Sequence, residues 1–133
     1  MSKGTQHIIL LIEDDPAIQE LLDMYFTSLN VKLYRAQGGL EGVQRYRELH
    51  AAGKRPDLVI MDIKLPAINS IEATKKIKEI DDTAVIYGFT AFASVKGKEL
   101  RQAGAQKVIP RTHGFKALRD IVSSSIYARP PST

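Results

Sequence analysis

Short apolar runs alternate along this chain with stretches whose apolar residues recur every three or four positions. The runs His7 to Ile12, Lys32 to Ala36, Leu58 to Met61, Ala84 to Phe89 and Lys107 to Ile109 have the brevity of buried parallel strands. Between the first two, Ile18, Leu21, Leu22, Tyr25, Phe26 and Leu29 recur at helical spacing behind Asp15 and Pro16, which read as an N-cap and a proline at the first helical position. A second helix is expected from Gly38-Gly39 to about Ala52, with Gly53 to Pro56 forming the turn before the third strand. Asn69 with Glu72 has the spacing of a capping box opening a third helix that carries Ile71, Ile77 and Ile80. A shorter helix from Val95 to Ala103 should stop at Gly104, and a last one, Phe115 to Tyr127, presents Leu118, Ile121, Val122 and Ile126.

Strand and helix patterns in strict alternation predict repeated βαβ units and therefore a parallel sheet. Five such units without a further domain fit an α/β fold: a doubly wound, flavodoxin-like sheet of order 2-1-3-4-5 with helices on both faces. That order makes the first and third strands neighbours. Glu13 and Asp14 follow the first strand and Asp62 follows the third, so the topology brings three acids to one sheet edge, where open α/β sheets bind ligands. Clustered carboxylates repel unless a cation lies among them, and oxygen donors suit a hard ion such as Mg²⁺. Thr90 after the fourth strand and Arg111 after the fifth belong at the same edge. Carboxylates, a hydroxyl and a cation together are what a transferred phosphoryl group requires, since charge spreads over its oxygens.

Composition narrows the function without naming it. The 133 residues suffice for one domain with a real core. No apolar run approaches a membrane span, and Met1 to Gln6 lacks the parts of a signal peptide, so a soluble, cytoplasmic protein is expected. The absence of cysteine excludes disulfides and thiolate chemistry. The net charge of +4 could suit a polyanion, but the basic residues are scattered, with short clusters only at Lys75-Lys76-Lys78 and Lys96-Lys98-Arg101. No reading helix or interleaved aromatics accompany them, which weighs against nucleic acid as a partner. His7, His50 and His113 lack ligand spacing and read as surface residues.

Six motifs in order carry a family resemblance: Ile-Leu-Leu-Ile-Glu-Asp-Asp-Pro at 9 to 16, Pro-Asp-Leu-Val-Ile-Met-Asp at 56 to 62, Leu65-Pro66, Ile71-Glu72-Ala73, Thr90-Ala91 and Ala103-Gly104-Ala105. With this order and spacing the chain resembles a response-regulator receiver domain of two-component signalling, with a stand-alone, chemotaxis-type architecture. The resemblance assigns 7-127 to the receiver domain, 1-6 to an N-terminal extension and 128-133 to a flexible tail. It implies that Asp62 accepts a phosphoryl group from a sensor histidine kinase or phosphotransfer protein. It further implies that Glu13, Asp14 and Asp62 hold Mg²⁺ together with the backbone carbonyl of Lys64, and that Thr90 bonds a phosphoryl oxygen as the switch. Output would pass by protein contact to a downstream target, and the face formed by helix 4, strand 5 and helix 5 is where this family docks partners or pairs as a homodimer. On this reading the protein is a phosphoacceptor rather than an enzyme.

Several positions depart from the family pattern. Near the fifth strand the family has lysine then proline, whereas this chain reads Val108-Ile109-Pro110-Arg111-Thr112. Counting from Gly104 puts Arg111 at the lysine's place; aligning the prolines puts Ile109 there. Arg111 is taken, because an apolar residue would leave phosphoryl charge uncompensated. Val108 falls where the family usually has an aromatic that swings inward. Asn69-Ser70 replaces the common acid-glycine turn, a change that the cap explains. Phe92 and Lys64 lie where the family governs access of water, and a bulky Phe92 implies slow autodephosphorylation. The alternative function is a receiver-like interaction module that works without phosphorylation. An aspartyl-phosphate hydrolase would want an acid at position 64, where this chain has lysine.

Overall fold

Five parallel strands, β1 (His7–Ile12), β2 (Val31–Ala36), β3 (Leu58–Met61), β4 (Ile86–Thr90) and β5 (Lys107–Pro110), form one sheet of order 2-1-3-4-5. The computed structural model describes residues 6–62, 67–91 and 93–127, the side chains at 67–69 and 93–96 excepted. Lys64, Leu65-Pro66, Phe92, the tail 128-133 and all but Gln6 of the segment 1-6 lie outside the described residues. The helices are α1 (Pro16–Phe26), α2 (Gly39–Ala51), α3 (Ala67–Ile80), α4 (Ala93–Ala103) and α5 (Phe115–Tyr127). No helix among the described residues is long and apolar enough to cross a membrane.

Alternation along the strands splits the core into two. Leu10, Ile12, Val59, Met61 and Ile86 point to the face that carries Val43 and Tyr46 of α2, Ala73 and Ile77 of α3 and Leu100 of α4. Ile9, Leu11, Leu58, Ile60, Phe89 and Ile109 point to the other, against Leu22 and Phe26 of α1 and Leu118, Val122 and Ile126 of α5. A strand covered on both faces must be apolar at every position, which is why the central strands read as unbroken runs. Asp57 secures the register of β3 on β1: its N–H donates to Ile8 O at 2.7 Å, and its Oδ2 accepts from the Ile8 N–H at 2.8 Å.

Local signals account for most element ends. Asp15 caps α1 by accepting from the Ala17 N–H at 2.9 Å, with Pro16 in the first turn. Gly104 closes α4 at φ +129°, a conformation that L side chains avoid. The Asn69 cap is corrected: α3 begins at Ala67, so Asn69 is already inside the helix. The reason lies one residue on, where the buried Ser70 hydroxyl donates to Asp62 O at 3.0 Å and holds the start of the helix against the end of β3. His7 is likewise buried, its ring edge-on to Tyr127 at 5.6 Å between centroids, whereas His50 and His113 are exposed as expected.

At the amino edge of the sheet, Asp81 gathers three elements. Its Oδ2 accepts from Tyr46 Oη at 2.7 Å and Arg55 Nε at 2.6 Å, while its Oδ1 accepts from Thr83 N–H at 3.0 Å and Thr83 Oγ1 at 2.6 Å. The Asp81 side chain is only 8% exposed. Burial pushes its carboxyl up, but the hydrogen bonds from Thr83, Tyr46 and Arg55 outweigh burial and hold it well below the usual range. A carboxyl lowered by folding contributes stability above its ordinary value of 3.8, and that contribution is lost as pH falls through the folded value. Asp81→Ala should therefore lower unfolding stability at pH 7 by about 2–3 kcal/mol in urea titrations. The gap between wild type and variant should narrow as the pH is taken from about 5 to about 2.

Candidate functional site

At the carboxyl edge, β1 and β3 end side by side, with Leu11 opposite Ile60 and Ile12 opposite Met61. The next residues, Glu13 and Asp62, are therefore neighbours, and the Asp62 N–H donates to Ile12 O at 3.1 Å. Glu13, Asp14 and Asp62 each offer a carboxylate oxygen within 4.8 Å of the others. Glu13 and Asp62 are buried, Asp14 half so. The acids line a cleft of about 50 Å³ together with Ile12, Gln37, Gly38, Gly39 and Ser70. This is room for a small ion and its nearest oxygens, far below the roughly 300–1,000 Å³ of organic-ligand pockets.

Arg111 reaches the same acids from the turn after β5. Its Nη2 lies 3.1 Å from Glu13 Oε1, 3.2 Å from Asp62 Oδ1 and 3.3 Å from Phe89 O. The guanidinium also covers the Phe89 ring at 4.9 Å, and the side chain is 18% exposed. Aromatic stacking and a planar fork are properties that lysine would not supply in this form. Ile109, the other candidate for this place, is buried in the α1/α5 core and cannot meet the acids. Thr90 is fully buried at the end of β4, opposite Pro110 and so beside the strand end that carries Arg111.

Among the described residues, Arg111 is the guanidinium that meets the acids, and Glu13 keeps a raised carboxyl beside it. Burial raises Glu13, the Asp62 charge raises it further, and the Asp15 N–H and Arg111 pull it back only in part, so that it is pushed up to about 7. A buried cluster of carboxylate oxygens fits a hard divalent ion, which would favour deprotonated Glu13. Glu13, Asp14 and Asp62 are the described residues that would hold it.

Two polar residues of the site were not recognised from sequence. Gln19 is buried on the inward face of α1, and its Nε2 donates to Glu13 O at 2.6 Å and to Ala36 O at 3.4 Å. Ser70 holds Asp62 O, and its own carbonyl accepts from Thr74 Oγ1 at 2.9 Å. Each shares a helix face with core residues, Gln19 with Leu22 and Phe26, Ser70 with Ala73 and Ile77. A polar residue in phase with an apolar stripe was the available signal.

Fold and site together define a flavodoxin-like α/β domain with an acidic, cation-binding pocket at its switch point. A family model described as the response regulator receiver domain matches residues 9–123, and the chain belongs to that family. It is 32% identical over 121 residues to the chemotaxis protein CheY of Halobacterium salinarum, covering 90% of this chain and 97% of that protein. It is 35% identical over 78 residues to the transcriptional regulatory protein AfsQ1 of Streptomyces coelicolor, covering 59% of this chain but only 32% of that protein. The solved structure of response regulator protein TrrA from Thermotoga maritima, in complex with Mg²⁺-BeF, is similar with a TM-score of 0.75 at 26% identity, covering 91% of this chain and 100% of that one. Receiver domains are signalling domains of two-component systems; they bind Mg²⁺ in the acidic pocket and interact with histidine kinases, phosphotransfer proteins and downstream targets.

The proton held by Glu13 gives the pocket a testable pH dependence. Because Glu13 must lose that proton to act as a ligand, Mg²⁺ should bind more weakly at pH 6 than at pH 8. Isothermal titration at the two pH values, with Glu13→Gln as the control that flattens the difference, measures this.

Proposed function

We propose that Asp62 is the phosphoacceptor of a working receiver, with a sensor histidine kinase or phosphotransfer protein as donor. The observation that carries this reading is the convergence of Glu13, Asp14, Asp62 and Arg111 on one small cleft at the carboxyl edge. An Asp62 carboxylate oxygen attacks the donor's phosphorus, a bond to phosphorus forms, and the donor's bond to phosphorus breaks with its electron pair leaving on the donor nitrogen or oxygen. Glu13 and Asp14, with Asp62 and the Lys64 carbonyl, would hold Mg²⁺. When bound, that ion supplies the positive charge that lets two anionic groups approach. Arg111 already touches Asp62 and turns its charge to the phosphoryl oxygens, doing the work that the family gives to lysine. Thr90 donates its hydroxyl to one of those oxygens.

The route from site to surface is particular to this chain. Val108, at the family's aromatic position, packs beneath α4: a Cβ at Gly97 would come within 3.3 Å of Val108 Cγ1. Valine has no aromatic ring to swing inward, so we assign the output to movement of the segment that follows Thr90. The exposed residues Lys98, Glu99 and Arg101 of α4 and Lys107 of β5 are the surface that would present that movement to a target protein or to a second copy.

Incubation with acetyl phosphate and Mg²⁺ followed by intact-mass measurement tests the assignment. Wild type should gain one phosphoryl mass, and Asp62→Ala should gain none. An adduct that persists in Asp62→Ala would remove Asp62 as the acceptor, and its absence in both would favour the interaction module instead. Arg111→Met should slow adduct formation by roughly ten- to a thousandfold, while Arg111→Lys recovers part of the rate. Phosphoryl loss, followed in the same samples, should be slow compared with that of fast chemotaxis receivers.

A further inference from the structure

The carbonyl groups of Glu13 and Asp62 pose a packing problem that the sheet does not solve. Both residues sit just past the ends of their strands. Their N–H groups still have ladder-like partners: Glu13 donates to Ala36 O at 2.9 Å and Asp62 to Ile12 O at 3.1 Å. Their carbonyls lie beyond the paired strand, and a buried carbonyl needs a donor from elsewhere.

In both cases a buried side chain from the next helix supplies it. Gln19 of α1 donates to Glu13 O at 2.6 Å, and Ser70 of α3 donates to Asp62 O at 3.0 Å. The two contacts repeat one design on two strands, with N–H held by the sheet and C=O held by the helix. Gln19 extends its tie to Ala36 O at 3.4 Å, so that one amide spans the ends of β1 and β2. Ser70 is itself held by Thr74 Oγ1 on its carbonyl, one helical turn along, and it lines the cleft beside Asp62.

We propose that Gln19 and Ser70 are positioning residues, two braces that hold the main chains of Glu13 and Asp62 and thereby aim the two carboxylates at one point. The inference rests on the reading of Asp62 as phosphoacceptor and adds to it what keeps the acid in place. A reacting constellation works only when held within about 0.5 Å of its productive geometry by residues whose own rotamers are locked. The braces hold the two main chains where the carboxylate oxygens of Glu13 and Asp62 lie within 4.8 Å of each other. Neither side chain touches a carboxylate oxygen; both act through the main chain. Ser70 carries this role at a place where Asn69-Ser70 replaces the family's acid-glycine pair, and glycine has no hydroxyl to donate.

The test compares Ser70→Ala, Ser70→Thr, which keeps the hydroxyl, and Gln19→Met, which keeps the shape but not the donor. Amide hydrogen exchange of the metal-free full chain, read by NMR, should speed up about tenfold at Asp62 in Ser70→Ala and at Glu13 in Gln19→Met. Amides of Leu118 and Val122 should keep wild-type rates. The Mg²⁺ dissociation constant should rise several-fold in both variants. The maximal rate of adduct formation from acetyl phosphate should fall, with little change in the half-saturating concentration, and Ser70→Thr should recover the wild-type values. Wild-type Mg²⁺ affinity and local exchange in both Ser70→Ala and Gln19→Met would overturn the proposal, whatever happens to their melting temperatures. A wild-type chain that binds Mg²⁺ but takes no phosphoryl group would remove Asp62 as acceptor, while the braces would still be decided by exchange and metal affinity.

Discussion

The repulsion among three carboxylates confined to one buried cleft is the constraint around which this molecule is arranged. The 2-1-3 strand order puts the ends of β1 and β3 side by side and so makes the repulsion unavoidable. Everything near the cleft answers it. Arg111 bridges Glu13 and Asp62, the Asp15 N–H donates to Glu13 Oε2 at 3.1 Å, and Gln19 and Ser70 secure the main chain on either side. These answers are incomplete, because Glu13 still holds its proton up to about pH 7. A pocket whose glutamate keeps a raised carboxyl is one in which a bound cation would favour the charged form.

Asp81, at the opposite edge, shows what a fully answered acid looks like in the same protein. Its two oxygens receive Tyr46, Arg55 and Thr83, and these partners hold its carboxyl below the usual range in spite of burial. Tyr46 moves the other way, raised by burial and by its bond to Asp81. The difference between Asp81 and Glu13 is one of both depth and company, since burial raises Glu13 first and the Asp62 charge adds to it. Asp81 sits among donors that come from α2 and from the turns on either side of the β3–α3 unit. Glu13 faces Asp62. One arrangement stabilises the fold as it stands, and the other stores a need that a ligand meets.

The features legible in the sequence are those that repeat or end abruptly. Short apolar-rich runs marked the five strands, helical spacing marked the faces of α1 and α5, and acids directly after Ile12 and Met61 marked the pocket. Strand ends shifted by a residue or two because pairing, not hydrophobicity, sets them: β4 begins at Ile86 and includes Thr90. What could not be read depends on side chains meeting across distant segments. His7 reads as a polar residue at a strand start until Tyr127 of α5 covers it. Ser70 and Gln19 read as ordinary helix residues until the strand ends arrive beneath them. The choice between Arg111 and Ile109 needed the direction of each side chain, because alternation along β5 sends Ile109 into the α1/α5 core while the following turn returns Arg111 to the acids.

Charge bookkeeping across the proposed reaction shows why such a pocket can act as a switch. Among the described residues three carboxylates meet the Arg111 guanidinium, and a bound divalent ion would offset the negative charge that remains. Phosphorylation then removes the charge of Asp62 as a carboxylate and puts in its place the roughly −1.5 to −2 of a phosphoryl group. The pocket is returned to an excess of negative charge, now spread over oxygens that extend beyond the end of β3. Arg111 is within reach because it already bonds Asp62, and turning to the new oxygens loosens its hold on Glu13. Thr90, buried at the end of the adjacent β4, is the hydroxyl on the neighbouring strand. A demand for one more donor there draws on the segment between β4 and α4, and α4 lies close on the sheet at Gly88 and Gly97, where a Cβ on either glycine would crowd Leu100 or Val108. Packing that tight moves as a unit or not at all, so in the proposed reaction a local excess of charge would be passed to a helix face rather than absorbed by a single side chain.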